Sequence, residues 1–330
     1  MRVMIPLSVL DLAPIAEGQD AGVALNNARD LARAAERLGY RRFWMAEHHS
    51  MPGIASAATA VALAFVAGGT DKIRVGAGGI MLPNHSPLQV AEQFGTLAAL
   101  FPGRIDLGLG RAPGTDQAAA FAMRRNLAAD SSQFPRDVVE LQSYFRTAEP
   151  GQRVIAVPGE GLDVPLWILG SSTFGAELAA ELGLPYAFAS HFAPQQMMEA
   201  VQLYRARFRP SAQLAAPYVM LGFNVFAADS DEQGELLATS LMQAFVALRS
   251  GNPGKLKPPV AGFGDTLPLE YRVMLRSVLS CSAIGSPATV KAATEAFVAR
   301  TGADELMITS QIFDHRARLH SFALLTEAFA

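Results

Sequence analysis

Two stretches decide the fold: IRVGAGGIMLPNHSP, residues 73–87, and GRIDLGLGRAPGTD, residues 103–116. Each begins as a short apolar run typical of a buried strand and ends abruptly in glycine and polar residues. A helical segment, residues 88–100, separates them. Two consecutive strand–helix units of this kind predict neighbouring parallel strands. Since α/β enzymes carry their chemistry at the carboxyl ends of such strands, we expect functional groups directly after each run.

The same alternation continues along the whole chain. The predicted strands are residues 3–10, 42–47, 73–80, 105–110, 165–170, 185–189, 218–227 and 305–309. The predicted helices are residues 24–38, 55–67, 88–100, 136–145 and 316–329, with two more that begin near Thr173 and Pro194. Eight units without a break in composition favour an α/β fold of the (β/α)8 TIM barrel type, formed by a single domain over residues 1–330.

Three segments are predicted to be loop insertions, because a minimal barrel takes only about 250 residues. They are residues 112–133, 149–164 and 250–268. The last is rich in proline and glycine and precedes the eighth strand. Long loops of this kind are either surface loops or mobile lids, and both remain open for 250–268.

Composition argues against several classes of function. Half of the 330 residues are hydrophobic and 17% are charged, which is enough apolar surface for a large core. The net charge of −3 and the absence of a Lys/Arg run argue against a nucleic-acid partner. The single cysteine, Cys281, excludes an intramolecular disulfide and a thiolate zinc cluster, and indicates a reducing compartment.

Neither a signal peptide nor a membrane span is predicted. Pro6 and Asp11 interrupt the first apolar run, and the longest apolar stretch, residues 57–67, ends at two glycines. It falls well below the roughly 20 residues that cross a bilayer. We therefore expect a cytoplasmic protein that does not contact membranes.

The glycine-rich strand ends do not match a nucleotide-binding fingerprint. Met81 and Pro113 stand where the third glycine of G-x-G-x-x-G would be, and a P-loop motif is absent. Gly78 and Gly79 therefore mark either a tight turn or a place where backbone approaches a flat ligand, with about equal weight.

A second signal predicts an anion site. Ser171, Ser172 and Thr173 follow the fifth strand at a helix N-terminus, and Arg111 follows the fourth strand. Backbone amides at a helix N-terminus, two hydroxyls and an adjacent guanidinium would bind a phosphate. A plain helix cap would explain the serines but not Arg111.

The sequence Glu47-His48-His49 closes the second strand. Neighbouring strand residues point to opposite faces, so the two histidines are poorly placed to chelate one metal, and no metal is predicted. A lone histidine in this motif could instead act as a general base, and we interpret His49 as a structural histidine. His191 and His85 are weaker candidates of the same kind.

Taken together, these stretches resemble the bacterial luciferase-like flavin-dependent monooxygenases, in their single-chain branch. The resemblance covers nearly the whole chain and is carried by FWMAEHH (43–49), residues 75–111, WILGSSTFGAELAAELGLPYAFASHF (167–192) and ADELMITSQIFDH (303–315). It implies a (β/α)8 barrel that binds FMN at the carboxyl ends of its strands.

The resemblance also implies roles for individual residues. Arg111 and Ser172, beside Ser171 and the amide of Gly175, would hold the FMN phosphate. A non-proline cis peptide under the flavin ring would fall on Gly78-Gly79. His48 would be the base near the reactive flavin, with Asp11, Ser190 and His191 in the substrate pocket.

The implied reaction is a monooxygenation. Reduced FMN, delivered as a co-substrate by a separate NAD(P)H:flavin reductase, would react with O2 at its C4a carbon to give a peroxide or hydroperoxide. That species would oxidise a small organic substrate. Family members commonly form dimers through helices near strands two to four, which implies a homodimer.

This chain departs from the luciferases at three positions. Gly110 replaces a cysteine beside the flavin, Gly175 replaces a phosphate-binding threonine, and Ser190 replaces an aromatic residue of the aldehyde pocket. The resemblance is therefore weakest at the substrate end and does not extend to a long-chain aldehyde substrate or to light emission.

Three alternatives remain. The first is a deazaflavin-dependent hydride-transfer oxidoreductase of the same superfamily, and the second is a flavin-binding protein without turnover. The third, a metal-dependent barrel hydrolase, is disfavoured because the first strand ends in VLDLAP without a His-x-His pair.

Overall fold

The computed structural model of the chain describes residues 5–112, 122–123 and 133–330. Its strands are β1 Leu7–Asp11, β2 Arg42–Met45, β3 Arg74–Met81, β4 Ile105–Gly110, β5 Leu166–Gly170, β6 Tyr186–Phe188, β7 Val219–Ala227, β8 Ser282–Gly285 and β9 Glu305–Thr309. Its helices are α1 Ala21–Arg37, α2 Thr59–Ala67, α3 Pro87–Leu100, α4 Phe134–Tyr144, α5 Thr173–Leu182, α6 Met197–Arg207, α7 Asp231–Arg249, α8 Leu269–Val278, α9 Pro287–Thr301 and α10 His315–Glu327.

The strands form a closed parallel barrel. The pairing runs from β1 through β6 in chain order, β6 pairs with β7, and β9 lies between β7 and β1. One additional strand, β8, lies outside this ring and pairs, among the described residues, with the carboxyl half of β7 alone. The predicted (β/α)8 barrel is thus confirmed, with β9 as its eighth strand.

The stretch between β7 and β9 contains more structure than the sequence predicted. It carries α7, α8, β8 and α9, whereas only the loop at 250–268 was expected there. The strand β8 has only four residues and pairs with residues 224–227 of the nine-residue strand β7, beyond the part of β7 that pairs with β6. Residues 3 and 4 of the first predicted strand, and most of the predicted insertion 112–133, lie outside the described residues.

Alternation along each strand divides the core into two layers. On β1, Leu7 and Val9 pack among the helices, whereas Leu10 packs inside the barrel. The interior layer is small and is built from Leu10, Trp44, Ala46, Trp167, Ala187, Met220 and Met307. The outer layer, between barrel and helices, supplies most of the buried apolar surface. This arrangement follows from the period of two along a strand.

A charged network fills the barrel interior at the amino ends of the strands. The Arg42 guanidinium lies 2.8 Å from Asp106 and 2.8 Å from Glu305, and all three side chains are at most 5% exposed. Arg74 adds a second cation, 2.6 Å from Asp106. Two cations therefore face two carboxylates, which closes this end of the barrel with balanced charge.

The segment 250–268 is attached at several points. Gln243 of α7 donates to the Pro258 carbonyl over 2.8 Å, the Val260 amide donates to Thr239, and Lys255 donates to the Gln19 carbonyl. Leu256 is buried. Whether the segment also acts as a lid stays a prediction, which limited proteolysis with and without flavin would test.

Among the described residues, no helix combines the length and the apolar character that a membrane crossing requires.

Candidate active site

The carboxyl ends of the barrel strands bring most of the predicted site residues to one rim. Residues 47–49 follow β2, Gly78 and Gly79 lie near the end of β3, and Arg111 follows β4. Ser171 and Ser172 link β5 to α5, while Ser190 and His191 follow β6. On β4, Asp106, Gly108 and Gly110 share the inward face, so above Asp106 this strand places no side chain in the barrel.

The Gly78-Gly79 peptide is cis, as the resemblance implies. A Cβ at Gly78 would lie 2.9 Å from Leu10 and 3.0 Å from the Trp44 ring, and one at Gly79 would lie 2.7 Å from the Gly108 carbonyl oxygen. Packing therefore already requires glycine at position 79, where the obstacle is backbone, whereas at position 78 the nearest atom is the end of the Leu10 side chain. Gly78 stays partly exposed, so its backbone is open towards the mouth of the barrel.

Arg111 and the N-terminus of α5 lie side by side. Gly110 pairs with Leu169 across β4 and β5, and the Arg111 guanidinium stacks 4.0 Å from the centre of the Phe174 ring. Ser172 occupies the N-cap position of α5, but its side chain makes no capping hydrogen bond. The predicted alternative of a plain side-chain cap is not what the structure shows, so the first amides of α5 keep their capacity to bind an anion.

Glu47 gathers three hydrogen bonds at the mouth of the barrel. Its Oε1 lies 2.6 Å from His49 Nε2 and 2.8 Å from His85 Nε2, and its Oε2 accepts from the Met81 amide over 3.0 Å. The carboxylate is 1% exposed. Burial works to raise its pKa, but the hydrogen bonds from His85, His49 and Met81 together hold the pKa of Glu47 below its usual value.

The same three side chains have the composition of a metal site, with donor atoms all within 4.8 Å of one another. Ligands around an ion with bonds of about 2.0–2.2 Å are separated by roughly 3 Å or more. The separations of 2.6 and 2.8 Å from Glu47 to the two imidazoles are instead those of hydrogen bonds. We therefore interpret the cluster as a hydrogen-bonded junction, and His49 as the structural histidine that the sequence suggested.

His48 and His191 are both uncharged at neutral pH. Burial lowers the pKa of His48, and the opposing charge of Glu47 offsets only part of that effect. Burial, together with repulsion from His48, lowers the pKa of His191 to about 4. The Nδ1 atoms of both rings are buried without a hydrogen-bond partner among the described residues. Each ring thus offers an unused donor or acceptor beside the barrel mouth.

The position of His191 depends on β7. A Cβ at Gly222 would lie 2.0 Å from His191 Nδ1, so the imidazole occupies the space that a side chain would need. Ser190 donates to the Gly222 carbonyl over 2.6 Å, and Asn224 donates to the His191 carbonyl over 2.9 Å. These contacts hold the β6–α6 loop against the strand and direct His191 into the barrel.

Asp11 is engaged elsewhere. Its Oδ1 accepts from Arg318 of α10 over 2.7 Å and from the Ala13 amide over 3.0 Å. Leu10 faces the barrel interior, so Asp11, one residue later, faces the helices. The structure therefore does not bring Asp11 together with Ser190 and His191.

Sequence reasoning missed the role of Glu47 and the glycine that admits His191. Glu47 could have been singled out as a carboxylate between an apolar strand and two histidines. Gly222 carries no such signal, because a glycine in a long strand is explained equally well by a bulge or by close packing.

The sequence of this chain is similar to those of known monooxygenases. A family model described as luciferase-like monooxygenase matches residues 5–305. A luciferase-like monooxygenase of Escherichia coli (strain K12) is 52% identical over 320 residues, 97% of this chain and 96% of that protein. N-acetyl-S-alkylcysteine monooxygenase of Bacillus subtilis (strain 168) is 37% identical over 254 residues, 75% of each chain.

Solved structures show the same fold. The crystal structure of apo-MsnO8 matches with a TM-score of 0.87 and 35% identity over 99% of this chain and 98% of that one. The oxygenating constituent of 3,6-diketocamphane monooxygenase from Pseudomonas putida, in complex with FMN, matches with a TM-score of 0.71, 16% identity and coverage of 98% and 97%. An F420-dependent secondary alcohol dehydrogenase matches with a TM-score of 0.70, 14% identity and coverage of 99% and 98%. The last two likenesses show the fold alone.

Proposed function

The chain belongs to the luciferase-like monooxygenase family, and on that premise we propose that it oxidises a small organic substrate with reduced FMN and O2. The observation that carries the proposal is the juxtaposition of Arg111, the uncapped N-terminus of α5 and the open backbone at Gly78 on one rim. A phosphate-bearing ligand with a flat ring fits such a rim.

The phosphate end of the flavin would be held by charge and by backbone. Arg111 supplies the cation, Ser171 and Ser172 supply hydroxyls, and the amide of Gly175 lies in the first turn of α5. Gly175 is buried, and a Cβ there would lie 3.3 Å from the Tyr186 ring. The substitution of glycine for the threonine of the luciferases therefore matches local packing.

When bound, reduced FMN would supply two electrons to O2, so that one oxygen atom enters the substrate and the other leaves as water. The Gly78 and Gly79 backbone would support the ring. His48, uncharged at neutral pH and with a buried Nδ1, is suited to accept a proton beside it. Ser190 and His191 would line the substrate side.

A separate NAD(P)H:flavin reductase would supply the reduced FMN, because the chain carries no nicotinamide fingerprint.

A homodimer is part of the proposal as well. Val61 and Phe65 of α2, Leu100 of α3 and Val139 of α4 are exposed apolar residues on helices next to β2–β4. Sedimentation equilibrium tests this: a dimer mass supports the surface, and a monomer at micromolar concentration refutes it.

A deazaflavin-dependent hydride transfer is the second candidate, since an F420-dependent dehydrogenase shares the fold. Deazaflavin forms no oxygen adduct, so the two candidates separate experimentally. The purified protein would be titrated anaerobically with FMN, photoreduced FMN and deazaflavin, and then exposed to O2. Tight binding of reduced FMN with a transient flavin–oxygen absorbance supports the monooxygenase. Preference for deazaflavin without that transient identifies hydride transfer, and binding without either reaction indicates a non-catalytic flavin protein.

Arg111→Ala should weaken FMN binding by about tenfold or more, because a hydrogen bond to a charged group contributes roughly 1.5–3 kcal/mol. Fluorescence titration measures the dissociation constant. Arg153→Ala, which removes an exposed arginine from the loop before β5, is the matched control and should leave the affinity unchanged. Equal affinities of the two variants would remove Arg111 from the phosphate site.

A further inference from the structure

Glu47 joins two loops at the mouth of the barrel. Its hydrogen bonds to His49 and His85 connect the segment after β2 with the segment after β3, over 2.6 and 2.8 Å. The third bond, from the Met81 amide, holds the end of β3 two residues beyond the cis peptide. A single buried carboxylate thus spans both strands whose ends carry the proposed base and the proposed ring support.

His48 lies between the two anchored residues in the chain. Glu47 on one side is bonded to β3, and His49 on the other side is bonded back to Glu47. The His48 ring has no hydrogen bond at Nδ1 among the described residues, so its own contacts do not fix it there. Its backbone is consequently restrained through Glu47.

We propose that Glu47 is a positioning residue, which fixes the His48 imidazole relative to the Gly78-Gly79 backbone through its bonds to His49, His85 and Met81. This inference rests on the proposed function, in which His48 acts on a proton beside the flavin. In this assignment Glu47 itself contacts neither FMN nor the organic substrate. Small displacements of a catalytic group have large effects, about 10²-fold for 1 Å.

Electrostatics gives this arrangement a pH signature. The titratable groups that face His48 are Glu47 and His49 from its own segment and His191 from the β6–α6 loop. Of these, only Glu47 raises the pKa of His48. Replacing the carboxylate by an amide therefore lowers the pKa of His48 further.

The test compares Glu47→Gln, Glu47→Ala, His48→Ala and the double variant Glu47→Gln/His48→Ala, with Glu235→Gln on the exposed face of α7 as the matched control. The first readout is the imidazole titration of His48 by NMR in the flavin-free protein. The second is the rate at which bound, photoreduced FMN is reoxidised by O2 across pH, and the third is FMN affinity.

We expect Glu47→Ala to change the reoxidation rate by about tenfold to a hundredfold. Glu47→Gln should have a smaller effect and should shift the His48 titration, and the acid limb of the rate profile, to lower pH. FMN affinity should change less than threefold in each of these two Glu47 variants. In the His48→Ala background, Glu47→Gln should add no further rate change, because the two residues act through one group.

Additive effects in the double variant, or an unshifted His48 titration in Glu47→Gln, would overturn the positioning role. If His48→Ala itself leaves the rate unchanged, the proposed function of His48 fails instead, and the two failures are distinct. If Glu47→Ala does not fold, the His48 imidazole titration is measured in Glu47→Gln and in His85→Ala instead. His85→Ala removes one of the hydrogen bonds that anchor Glu47.

Discussion

At the scale of single residues, two partly buried imidazoles, each with a buried Nδ1 atom, set the chemistry of the barrel mouth. Both His48 and His191 have lowered pKa values, and in both cases burial is the main cause. Protein packing therefore keeps these rings in the neutral form, which can accept a proton at neutral pH.

His191 should make folding stability depend on pH. Its pKa is about 4 in the folded protein against 6.5 ordinarily, so the unfolded chain binds a proton that the folded protein excludes. The free energy of unfolding should therefore fall as the pH drops from 6.5 towards 4, by at most about 3 kcal/mol from this residue. Urea unfolding of wild type and His191→Gln across this range measures the difference.

The free energy of unfolding of His191→Gln should fall less than that of wild type over this pH range. His320→Gln is the control, because the His320 side chain is 52% exposed. Its stability should follow the wild-type pH dependence. An unchanged pH dependence in His191→Gln would show that His191 is not buried in the neutral form.

At the scale of elements, the position of α3 depends on close contact with the loop before β5. A Cβ at Gly95 would lie 2.4 Å from the Gly159 Cα, and a Cβ at Gly159 would lie 2.9 Å from the Ala91 carbonyl oxygen. The helix and the loop thus meet backbone to backbone. This contact holds the helix that follows β3, and therefore the end of the strand that carries Gly78 and Gly79.

Gly95→Ala should destabilise the protein by about 1–3 kcal/mol, because the methyl group has no space. At an open helix position the same change would stabilise by roughly 1 kcal/mol, so the sign itself is diagnostic. Thermal unfolding measures it. Thr96→Ala, at the next and exposed position of α3, should change stability by less than about 0.5 kcal/mol. A stabilised Gly95→Ala variant would contradict the contact.

At the scale of the whole molecule, the amino end of the barrel is closed by charge instead of apolar packing. Glu305 accepts hydrogen bonds from Ser8, Arg42 and Tyr218. Ser8 lies on β1, Arg42 lies on β2, and Tyr218 directly precedes β7. Beside it, Asp106 receives Arg42 and Arg74. The network joins β1, β2, β3, β4 and β9 and lies at the end of the barrel opposite the candidate site.

Glu305→Gln should lower the free energy of unfolding by about 3–5 kcal/mol, because it leaves the buried Arg42 charge without one of its partners. Denaturant unfolding measures the loss. Glu177→Gln is the control, since it breaks an exposed pair with Arg207 at 2.9 Å, close to the 2.8 Å between Arg42 and Glu305. It should cost less than about 1 kcal/mol. Equal losses in the two variants would mean that the network contributes no more than a surface ion pair.

The sequence predicted the barrel because strand and helix periodicity is local. Each of the eight barrel strands was located within a few residues, as was the helix after each of the first six, since apolar runs and their glycine ends are visible in a short window. The strand β8 and the helices α7–α9 were missed. The four-residue strand β8 is defined by its pairing with the carboxyl half of β7, which a short sequence window does not show. The helices α7 and α9 do carry local signals, namely the Ser230 cap of α7 and, for α9, Pro287 at its start and Gly302 at its end.

For the candidate site, the amino-acid sequence specifies which chemical groups follow which strand: Arg111 after β4, the serines after β5, His48 after β2 and His191 after β6. Chain order sets this, because parallel strands place their carboxyl ends on one rim. The contacts that each group makes there depend on the folded structure. It turned Asp11 towards Arg318, placed His191 over Gly222, and joined His49 and His85 at Glu47. These contacts connect residues far apart in the chain, and they depend on side-chain direction, burial and distances of a few ångströms, which arise only when the barrel closes.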